Sequence, residues 1–330
     1  MSGRRKAPPQ LSLFGTPEPA VPPIPPAAAA LAPLAASLPE TLRLGTSSWT
    51  FPGWSGIVWP DAPGEARLAR EGLPIYARHP LLRTVGIDRT FYAPVEAAVL
   101  AGYAAQVPAD FRFLVKAHEA CTIERWPAHA RYGAHRGQSN DRFLDPAYAA
   151  DRVVGPAVEG LGDKLGPIVF QLPPQALGAD FAERLHRFLE GLPRGPLYAV
   201  ELRNGKLLGP RYVDALSAAG AVHCFNVHAG MVPIADQLRR IDPLRGRAVV
   251  VRWMLHDGLT YEKAVARYGP FSALVDEDPA TRETIAQLAV AAAQTGIPMW
   301  IVVNNKAEGS APLSIAKLAR AIAELRQGRP

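Results

Sequence analysis

Eight short apolar runs recur along the 330-residue chain, and most of them end in a polar or charged residue. Each run has the length of a strand that is buried on both faces, and helix-compatible segments separate most of them. Eight β-then-α units in one chain predict an α/β protein built as a closed parallel (β/α)8 TIM barrel. In such a barrel the functional residues lie at the C-terminal strand ends, so the pattern also predicts where the site is. The runs are residues 42–46, 84–88, 111–116, 167–171, 197–201, 221–226, 248–252 and 299–304.

The first 41 residues differ in composition from the rest of the chain. They hold ten of its 33 prolines and the run Ala27–Ala30. Such a segment buries too little apolar surface to offset the entropy of ordering its backbone. We therefore predict a disordered Pro/Ala-rich tail over residues 1–41 and one barrel domain over residues 42–330.

The crossovers between the apolar runs contain most of the helices that a barrel needs. Asp278 is suited to cap a helix with Pro279 in its first turn, and Pro312 opens the last helix in the same way. The third βα loop, residues 117–145, is the longest, and long loops in compact domains are more often binding loops than spacers. The other predicted helices are residues 94–106, 148–161, 181–189, 210–219 and 260–268, with a weak one within 230–247.

Composition argues against several classes of protein. No apolar stretch approaches the roughly 20 residues that cross a bilayer, so no membrane association is predicted. The two cysteines, Cys121 and Cys224, are too few for a disulfide framework, which predicts a cytoplasmic location. The formal net charge is +6, and Arg4, Arg5 and Lys6 supply half of it. Because no basic stripe with interleaved aromatic residues follows any helix, the charge permits nucleic-acid binding without arguing for it.

Polar side chains gather at the predicted C-terminal strand ends. Side chains along a strand alternate between its faces, so residues two apart point the same way. At the barrel mouth the cations outnumber the carboxylates, and Arg89 and Lys306 bring the surplus to three charges, which favours a small anionic ligand. The residues that this alternation brings together are Asp88 with Thr90, Lys116 with His118, and Glu201 with Arg203, beside Ser47, Gln171, Arg252 and Asn304.

Three of these residues are candidates for catalysis: Asp88, Lys116 and Glu201. Lys116 has apolar neighbours, which lower the pKa of an amine, so it is a candidate base or Schiff-base amine. A role as the charge partner of Glu201 fits Lys116 equally well. Asp88 and Glu201 are candidates for acid/base or orienting roles. Instead of a ligand site, the same residues could form two structural ion pairs, Glu201–Arg203 and Asp88–Arg252.

Further candidates for ligand binding surround the strand ends. Asn304 and Asn305 lead through Gly309 into a helix N-terminus, the place where many TIM barrels hold phosphate. Trp49 belongs to an aromatic group of the first βα loop that either stacks on a base or sugar or caps the barrel top, and capping is favoured. The complete predicted ligand-binding set is Ser47, Trp49, Tyr92, His118, Gln171, Arg203, Arg252, Asn304 and Asn305.

No cofactor or metal is predicted. The pair His118-Glu119 lacks the second histidine of a His-Glu-x-x-His motif because residue 122 is Thr, and the Cys and His spacings fit no zinc pattern. A metal held by Asp88, Glu201 and a histidine is the less favoured hypothesis. Two further hypotheses about function stay open, a sugar hydrolase that uses carboxylates or a metal, and a non-catalytic ligand-binding adaptor.

An ordered set of short motifs runs along the barrel segment of the chain. It includes Gly45-Thr46-Ser47-Ser48-Trp49, Thr90-Phe91-Tyr92, Phe113–Ala117, Phe170–Pro174, Ala199–Arg203 and Asn304-Asn305 before Gly309. In this order the motifs resemble the YecE-like family of uncharacterised TIM-barrel proteins over residues 42–325, which implies the fold and no established activity. The chain departs from the family at Val85–Arg89, where Val-Glu-Ile-Asn is usual, and at Asn204-Gly205, where a His-Pro pair is usual.

The tail contains one apolar motif, Gln10-Leu11-Ser12-Leu13-Phe14, among its prolines. Large apolar side chains in a disordered segment are costly to leave in water unless a partner receives them. The motif resembles the pentapeptide by which bacterial DNA polymerases and repair proteins bind the replication sliding clamp. The resemblance implies that Gln10 forms hydrogen bonds while Leu11, Leu13 and Phe14 supply the apolar contacts. Together with the cationic mouth, it predicts an enzyme acting on a phosphate-bearing or nucleic-acid-derived ligand, linked to DNA replication or repair.

Overall fold

Eight parallel strands close into a barrel in their order along the chain, with the last strand hydrogen-bonded to the first. The computed structural model describes residues 22–229 and 231–328. The predicted TIM barrel is confirmed, and every strand lies within two residues of its predicted position. The strands are β1 Leu42–Thr46, β2 Leu82–Ile87, β3 Arg112–Lys116, β4 Leu165–Leu172, β5 Tyr198–Leu202, β6 Val222–Val227, β7 Val249–Trp253 and β8 Met299–Val303.

Helices fill the crossovers and cover the outside of the barrel. A π-helical turn at Ala150–Val154 joins α6 to α7. No helix of the described residues is long and apolar enough to span a membrane. The helices are α1 Pro26–Ala29, α2 Ala32–Ala36, α3 Glu65–Tyr76, α4 Arg89–Tyr92, α5 Ala97–Ala104, α6 Pro146–Ala149, α7 Gly155–Leu161, α8 Phe181–Glu190, α9 Pro210–Ala218, α10 Ile234–Arg240, α11 Tyr261–Tyr268, α12 Pro279–Gln294 and α13 Ala311–Arg326.

The first crossover contains a helix that the sequence pattern did not predict. Helix α3 has Gly72 and Pro74 in its C-terminal half, and both residues weaken a helical signal. Leu68 and Leu73 are nevertheless buried against the barrel. Packing of this apolar face therefore outweighs the poor local propensity.

The strands carry two sets of buried side chains on their opposite faces. The larger apolar cluster lies between the strands and the helices. A smaller cluster fills the lumen with one residue from each of several strands. Two residues further along the same strands, the side chain on the same face is polar or charged and lies at the mouth. The lumen residues and their mouth successors are Leu114 and Lys116, Val169 and Gln171, Ala199 and Glu201, Val250 and Arg252, and Val302 and Asn304.

Residues 22–41 are not a disordered tail, and the prediction is wrong for this stretch. Helix α2 packs against α13, and Nη1 of Arg326 donates to the carbonyl of Ser37. Ala28 of α1 is 1% exposed, and Nη1 of Arg78 donates to the carbonyl of Pro22 at 3.1 Å. The same alanines that suggested low complexity give these helices a small apolar face that fits the barrel surface. The motif at residues 10–14 lies outside the described residues.

Candidate active site

A buried ion cluster lies at the top of the lumen, at the C-terminal strand ends. Glu201 of β5 is 0% exposed. Its Oε1 accepts a hydrogen bond from Nε of Arg203 at 2.8 Å, and its Oε2 accepts from Nη1 of Arg252 on β7. The same Nη1 donates to Oε1 of Gln171 on β4 at 3.1 Å. The cluster therefore joins the ends of three strands.

The charges of this cluster support one another. Burial by itself would raise the pKa of Glu201, but Arg252 and Arg203, with Lys116, bring it down to about 2. Burial would lower the pKa of Arg252, and the carboxylates of Glu201 and Asp88 raise it above its ordinary value. Because both oxygens of the ionised Glu201 accept from arginines, this carboxylate is suited to holding the arginines in place rather than to releasing a proton.

Asp88 lies on the open side of the cluster, directly after β2. Its side chain is 35% exposed, and its Oδ1 is 3.6 Å from Nη2 of Arg252, too far for a hydrogen bond. Burial lowers the pKa of both Lys116 and Lys306, and the Asp88 carboxylate opposes this effect on each of them, so the two ammonium groups lie near the same carboxylate. Within the described residues, neither lysine forms a salt bridge.

Thr90 does not share a strand face with Asp88, and this part of the prediction is wrong. Strand β2 ends at Ile87, and α4 begins at Arg89, so the alternation stops before Asp88. The Oγ1 of Thr90 instead contacts the carbonyl oxygens of Ile87 and Lys116, each at 2.6 Å. Thr90 thus ties the second strand end to the third.

The Lys116 ammonium lies in a largely apolar environment at the end of β3. Its Nζ is 3.6 Å from the centroid of the Phe91 ring. Burial lowers the pKa of Lys116 to about 8, with Asp88 and Glu201 acting in the opposite direction and Arg252 and Arg203 adding to the decrease. A substantial fraction of the side chain is therefore neutral slightly above neutral pH, which is the form that accepts a proton or attacks a carbonyl.

The two asparagines after β8 have different surroundings. Asn304 is half-buried, and its Nδ2 donates to Oγ of Ser47 at 2.7 Å, which brings the first and last strand ends together. Asn305 is 1% exposed, and its Oδ1 accepts from Nε1 of Trp54 at 3.0 Å and from the backbone N–H of Ala311 at 2.8 Å. Asn305 thus fixes the start of α13 in the barrel wall and is not gathered with the mouth residues.

The aromatic residues of the first βα loop pack as a cap on the barrel. Trp49 is buried and meets Tyr103 edge to face with ring centroids 5.2 Å apart. Trp54 and Trp59 are both fully buried and stack with centroids 6.2 Å apart. This packing agrees with the favoured interpretation that the group covers the barrel top.

Two other predicted ligand contacts lie on the rim of the mouth. Tyr92 is 61% exposed, and the Arg131 guanidinium lies 5.4 Å from its ring centroid. His118 is half-buried, and its Nδ1 is 2.7 Å from the hydroxyl of Tyr148. Burial lowers the pKa of His118, against a hydrogen bond to the Tyr92 backbone that raises it. His118 is therefore held between two tyrosines, and Tyr92 is the more accessible of the two candidates.

Arg131 and Tyr132, which contact Glu119 on the rim, were missed by the sequence reasoning. Glu119 is buried in the third βα loop, where Arg131 pairs with it and the hydroxyl of Tyr132 donates to it at 3.1 Å. The sequence also predicted Arg89 and Lys306 at the mouth. Lys306 lies there, with its Nζ 4.4 Å from the Tyr261 ring centroid. Arg89 turns away, and its Nη1 donates to the hydroxyl of Tyr103 at 2.9 Å.

No group of three or more His, Cys, Asp and Glu side chains in the described ranges is arranged to hold a metal ion. What the mouth offers is a set of cations around one exposed carboxylate. Such an arrangement is complementary in charge to a small anion.

The sequence matches a family described as "Protein of unknown function DUF72" over residues 43–329. The chain belongs to the DUF72 family. The match covers the whole barrel and agrees with the resemblance to the YecE-like proteins, which are the same family. No curated protein matches the sequence.

Solved structures of other DUF72 proteins share this fold. A DUF72 protein from Thermotoga maritima is 17% identical and superimposes with a TM-score of 0.59, covering 84% of this chain and 98% of that one. A DUF72 protein from Enterococcus faecalis is 14% identical with a TM-score of 0.56, covering 87% of this chain and 97% of that one. At these identities the likeness shows the barrel and leaves the chemistry to the residues of this chain.

Replacing Glu201 by Gln should destabilise the fold because it removes the counter-charge that is hydrogen-bonded to the buried Arg252. The pKa of Glu201 is lowered from 4.5 to about 2, so its contribution is present above about pH 4.5 and is lost as pH falls toward 2. We expect Glu201→Gln to lower the free energy of unfolding by about 3 kcal/mol at pH 7 and by less at pH 3. Urea denaturation at both pH values measures this difference.

The control is Glu190→Gln, which removes an exposed carboxylate from α8 and should change stability little at either pH. An equally small effect of Glu201→Gln at pH 7 would contradict the assignment of the buried cluster.

Proposed function

We propose that the protein is an enzyme that binds a small anionic ligand, phosphate-bearing or nucleic-acid-derived, at the mouth of the barrel. The observation that carries the proposal is the surplus of cations there. Among the described residues, the four cations Lys116, Arg203, Arg252 and Lys306 lie around two carboxylates, Asp88 and Glu201, which leaves two positive charges of this group without a counter-charge. A bound anion would supply it.

Arg203 is the residue best placed to contact such a ligand. Only its Nε bonds Glu201, and its side chain is 16% exposed. Within the described ranges, the two terminal nitrogens of Arg203 form no hydrogen bond. A guanidinium held on one edge by a buried carboxylate presents its other edge to a phosphate or carboxylate in a fixed direction.

Lys116 supplies the reactive group in this proposal. As a neutral amine it would take a proton from the ligand or attack a ligand carbonyl, after which loss of water gives a Schiff base. Asp88, close to the amine and open to solvent, would receive or return the proton. Glu201 would act as a positioning residue for both arginines. Asn304 and Ser47 would orient the ligand from the opposite side of the mouth.

The geometry supports a sugar hydrolase less well. A glycosidase of the usual kind needs two carboxyl groups that both reach the scissile bond. Both oxygens of Glu201 already accept from arginines, and its pKa of about 2 leaves no proton to donate. A non-catalytic ligand-binding adaptor would use the same cationic mouth, and it differs from the enzyme in giving Lys116 no chemical role.

Replacing Arg203 by Ala should weaken anion binding. The loss of a charge-assisted hydrogen bond is expected to cost about 1.5–3 kcal/mol, or roughly 10- to 150-fold in Kd. Isothermal titration calorimetry with inorganic phosphate and pyrophosphate measures the effect. Arg89→Ala is the matched control, since Arg89 is a cation at the same rim that turns away from the mouth. If Arg203→Ala binds normally and only its melting temperature falls, Arg203 is structural.

Replacing Lys116 by Met should abolish turnover and leave the fold intact. The pKa of Lys116 is lowered from 10.5 to about 8, so the buried ammonium costs stability below pH 8, and this cost fades between pH 8 and 10.5. We therefore expect Lys116→Met to melt no lower than the wild type at pH 7. The rate at which an amine reagent labels Lys116, followed by mass spectrometry, should rise to half its maximum near pH 8, and the exposed Lys206 serves as the comparison. Equal reactivity of the two lysines would leave Lys116 a charge-binding role and favour the adaptor.

We also propose that residues 10–14 bind the bacterial sliding clamp, which would bring the barrel to replicating or repairing DNA. The support is the motif itself, Gln10-Leu11-Ser12-Leu13-Phe14, with its apolar side chains set among prolines. A labelled peptide of residues 4–17 should bind a purified clamp with a Kd in the micromolar range, about −8 kcal/mol. The peptide with Leu13→Ala and Phe14→Ala should not bind. Absence of binding by the unchanged peptide would remove the link to replication.

A further inference from the structure

A cavity of about 380 Å³ opens beside the mouth, between the loops that follow β6 and β7 and the start of α12. Its walls include the apolar side chains of Val227, Leu255 and Ile234. Two histidines, His228 and His256, line it from the two strand-end loops. A concave site with an apolar lining and a few polar groups is the usual form of a small-molecule pocket.

The cavity lies next to the cations of the mouth on two sides. Burial lowers the pKa of His228 and the charge of Arg203 lowers it further, so the imidazole lies within electrostatic reach of that guanidinium. The backbone N–H of His256 donates to the carbonyl of Lys306 at 2.8 Å. Each histidine is thus the neighbour of a cation that the anionic ligand would contact. One ligand could place its anionic group on the mouth and the rest of its body in the cavity.

Both imidazoles have their tautomer fixed in the same way. Nδ1 of His228 lies 2.9 Å from the carbonyl of Ala229, and Nδ1 of His256 lies 2.9 Å from the carbonyl of Asp257. A carbonyl only accepts, so each Nδ1 carries the proton and donates it. Each Nε2 is then a hydrogen-bond acceptor, and no hydrogen bond to either Nε2 comes from the described residues. Two acceptors without donors therefore line one cavity.

The other polar residues that line the cavity are Asp257, Glu277, Asp278 and Thr281, and none of these four is hydrogen-bonded to either Nε2. Asp278 caps α12, with its Oδ1 accepting from the backbone N–H of Thr281 at 3.0 Å. Glu277 pairs with Lys317 and Arg282. These carboxylates make the cavity richer in acceptors than in donors. The complementary ligand offers several hydroxyl groups on a compact ring whose faces are apolar, which describes a sugar.

We propose that the ligand of this protein is a sugar phosphate, free or as part of a nucleotide, whose phosphate binds the mouth and whose sugar ring occupies the cavity, donating hydroxyl hydrogen bonds to Nε2 of His228 and His256. The inference rests on the proposed function, since it takes the anion-binding mouth as given. It adds the identity of the group attached to the anion.

Calorimetry on the full-length protein tests the proposal with three probes: inorganic phosphate, ribose 5-phosphate and adenosine 5′-monophosphate. We expect at least one of the two esters to bind ten times more tightly than phosphate or better. His228→Leu and His256→Leu should each weaken ester binding about fivefold, the effect of one lost hydrogen bond, and leave phosphate binding unchanged. His228→Gln keeps an acceptor and should restore part of the affinity. The control is His186→Leu, on α8 away from the cavity.

The outcomes separate the two proposals. Phosphate binding that depends on Arg203, with no gain from the sugar, keeps the proposed function and overturns the cavity assignment. A gain from the sugar that both leucine variants retain also overturns it, because the ring then lies elsewhere. If none of the three probes binds, the proposed function fails and the sugar phosphate fails with it. Which ester binds more tightly identifies the source, a free sugar phosphate or a nucleotide.

Discussion

The pairing of Glu201 with Arg252 and Arg203 is the interaction on which the top of the barrel depends. A fully buried carboxylate and a buried guanidinium would each be strongly destabilising alone, and each is tolerated because the other neutralises it. The pair occupies the level of the lumen where apolar filling ends. Side chains beyond this pair, toward the mouth, do not need to be apolar, because the ion pair already covers the apolar core of the lumen. The side chains of the mouth are therefore supported from below by charges that are fixed in place.

This arrangement also explains why the mouth has a surplus of positive charge. Glu201 is shared between two arginines, so one carboxylate cannot neutralise both. Asp88 is similarly shared among Arg252, Lys116 and Lys306. Sharing leaves the cations of the mouth without a full counter-charge, and burial lowers the pKa of Lys116 to about 8. One carboxylate for each cation would make the mouth electrically neutral. In this chain the cations of the mouth outnumber the carboxylates.

The alternation of side chains along a strand explains which parts of the site were accessible to sequence reasoning. Lys116, Gln171, Glu201 and Arg252 follow lumen residues by two positions, so identifying the strands was enough to bring them together. Asp88 and Asn305 lie just beyond strand ends, where a short helix or a turn replaces the strand. The alternation of side chains therefore could not predict their surroundings. The cavity residues His228 and His256 belong to loops that meet only in three dimensions. Helix α3 and residues 22–41 were missed because packing on the barrel, rather than local propensity, stabilises them.

Both ends of the described chain lie on the side of the barrel opposite the mouth. Pro22 contacts Arg78, which follows the C-terminus of α3, and Ser37 contacts Arg326 near the C-terminus of α13. Because the helices run antiparallel to the strands, these helix ends lie at the N-terminal ends of the strands. A domain or a surface attached near either end of the described chain would therefore leave the face around Arg203 and Lys116 accessible. The barrel can be attached from this side to a fused domain or an immobilising surface while its mouth stays accessible.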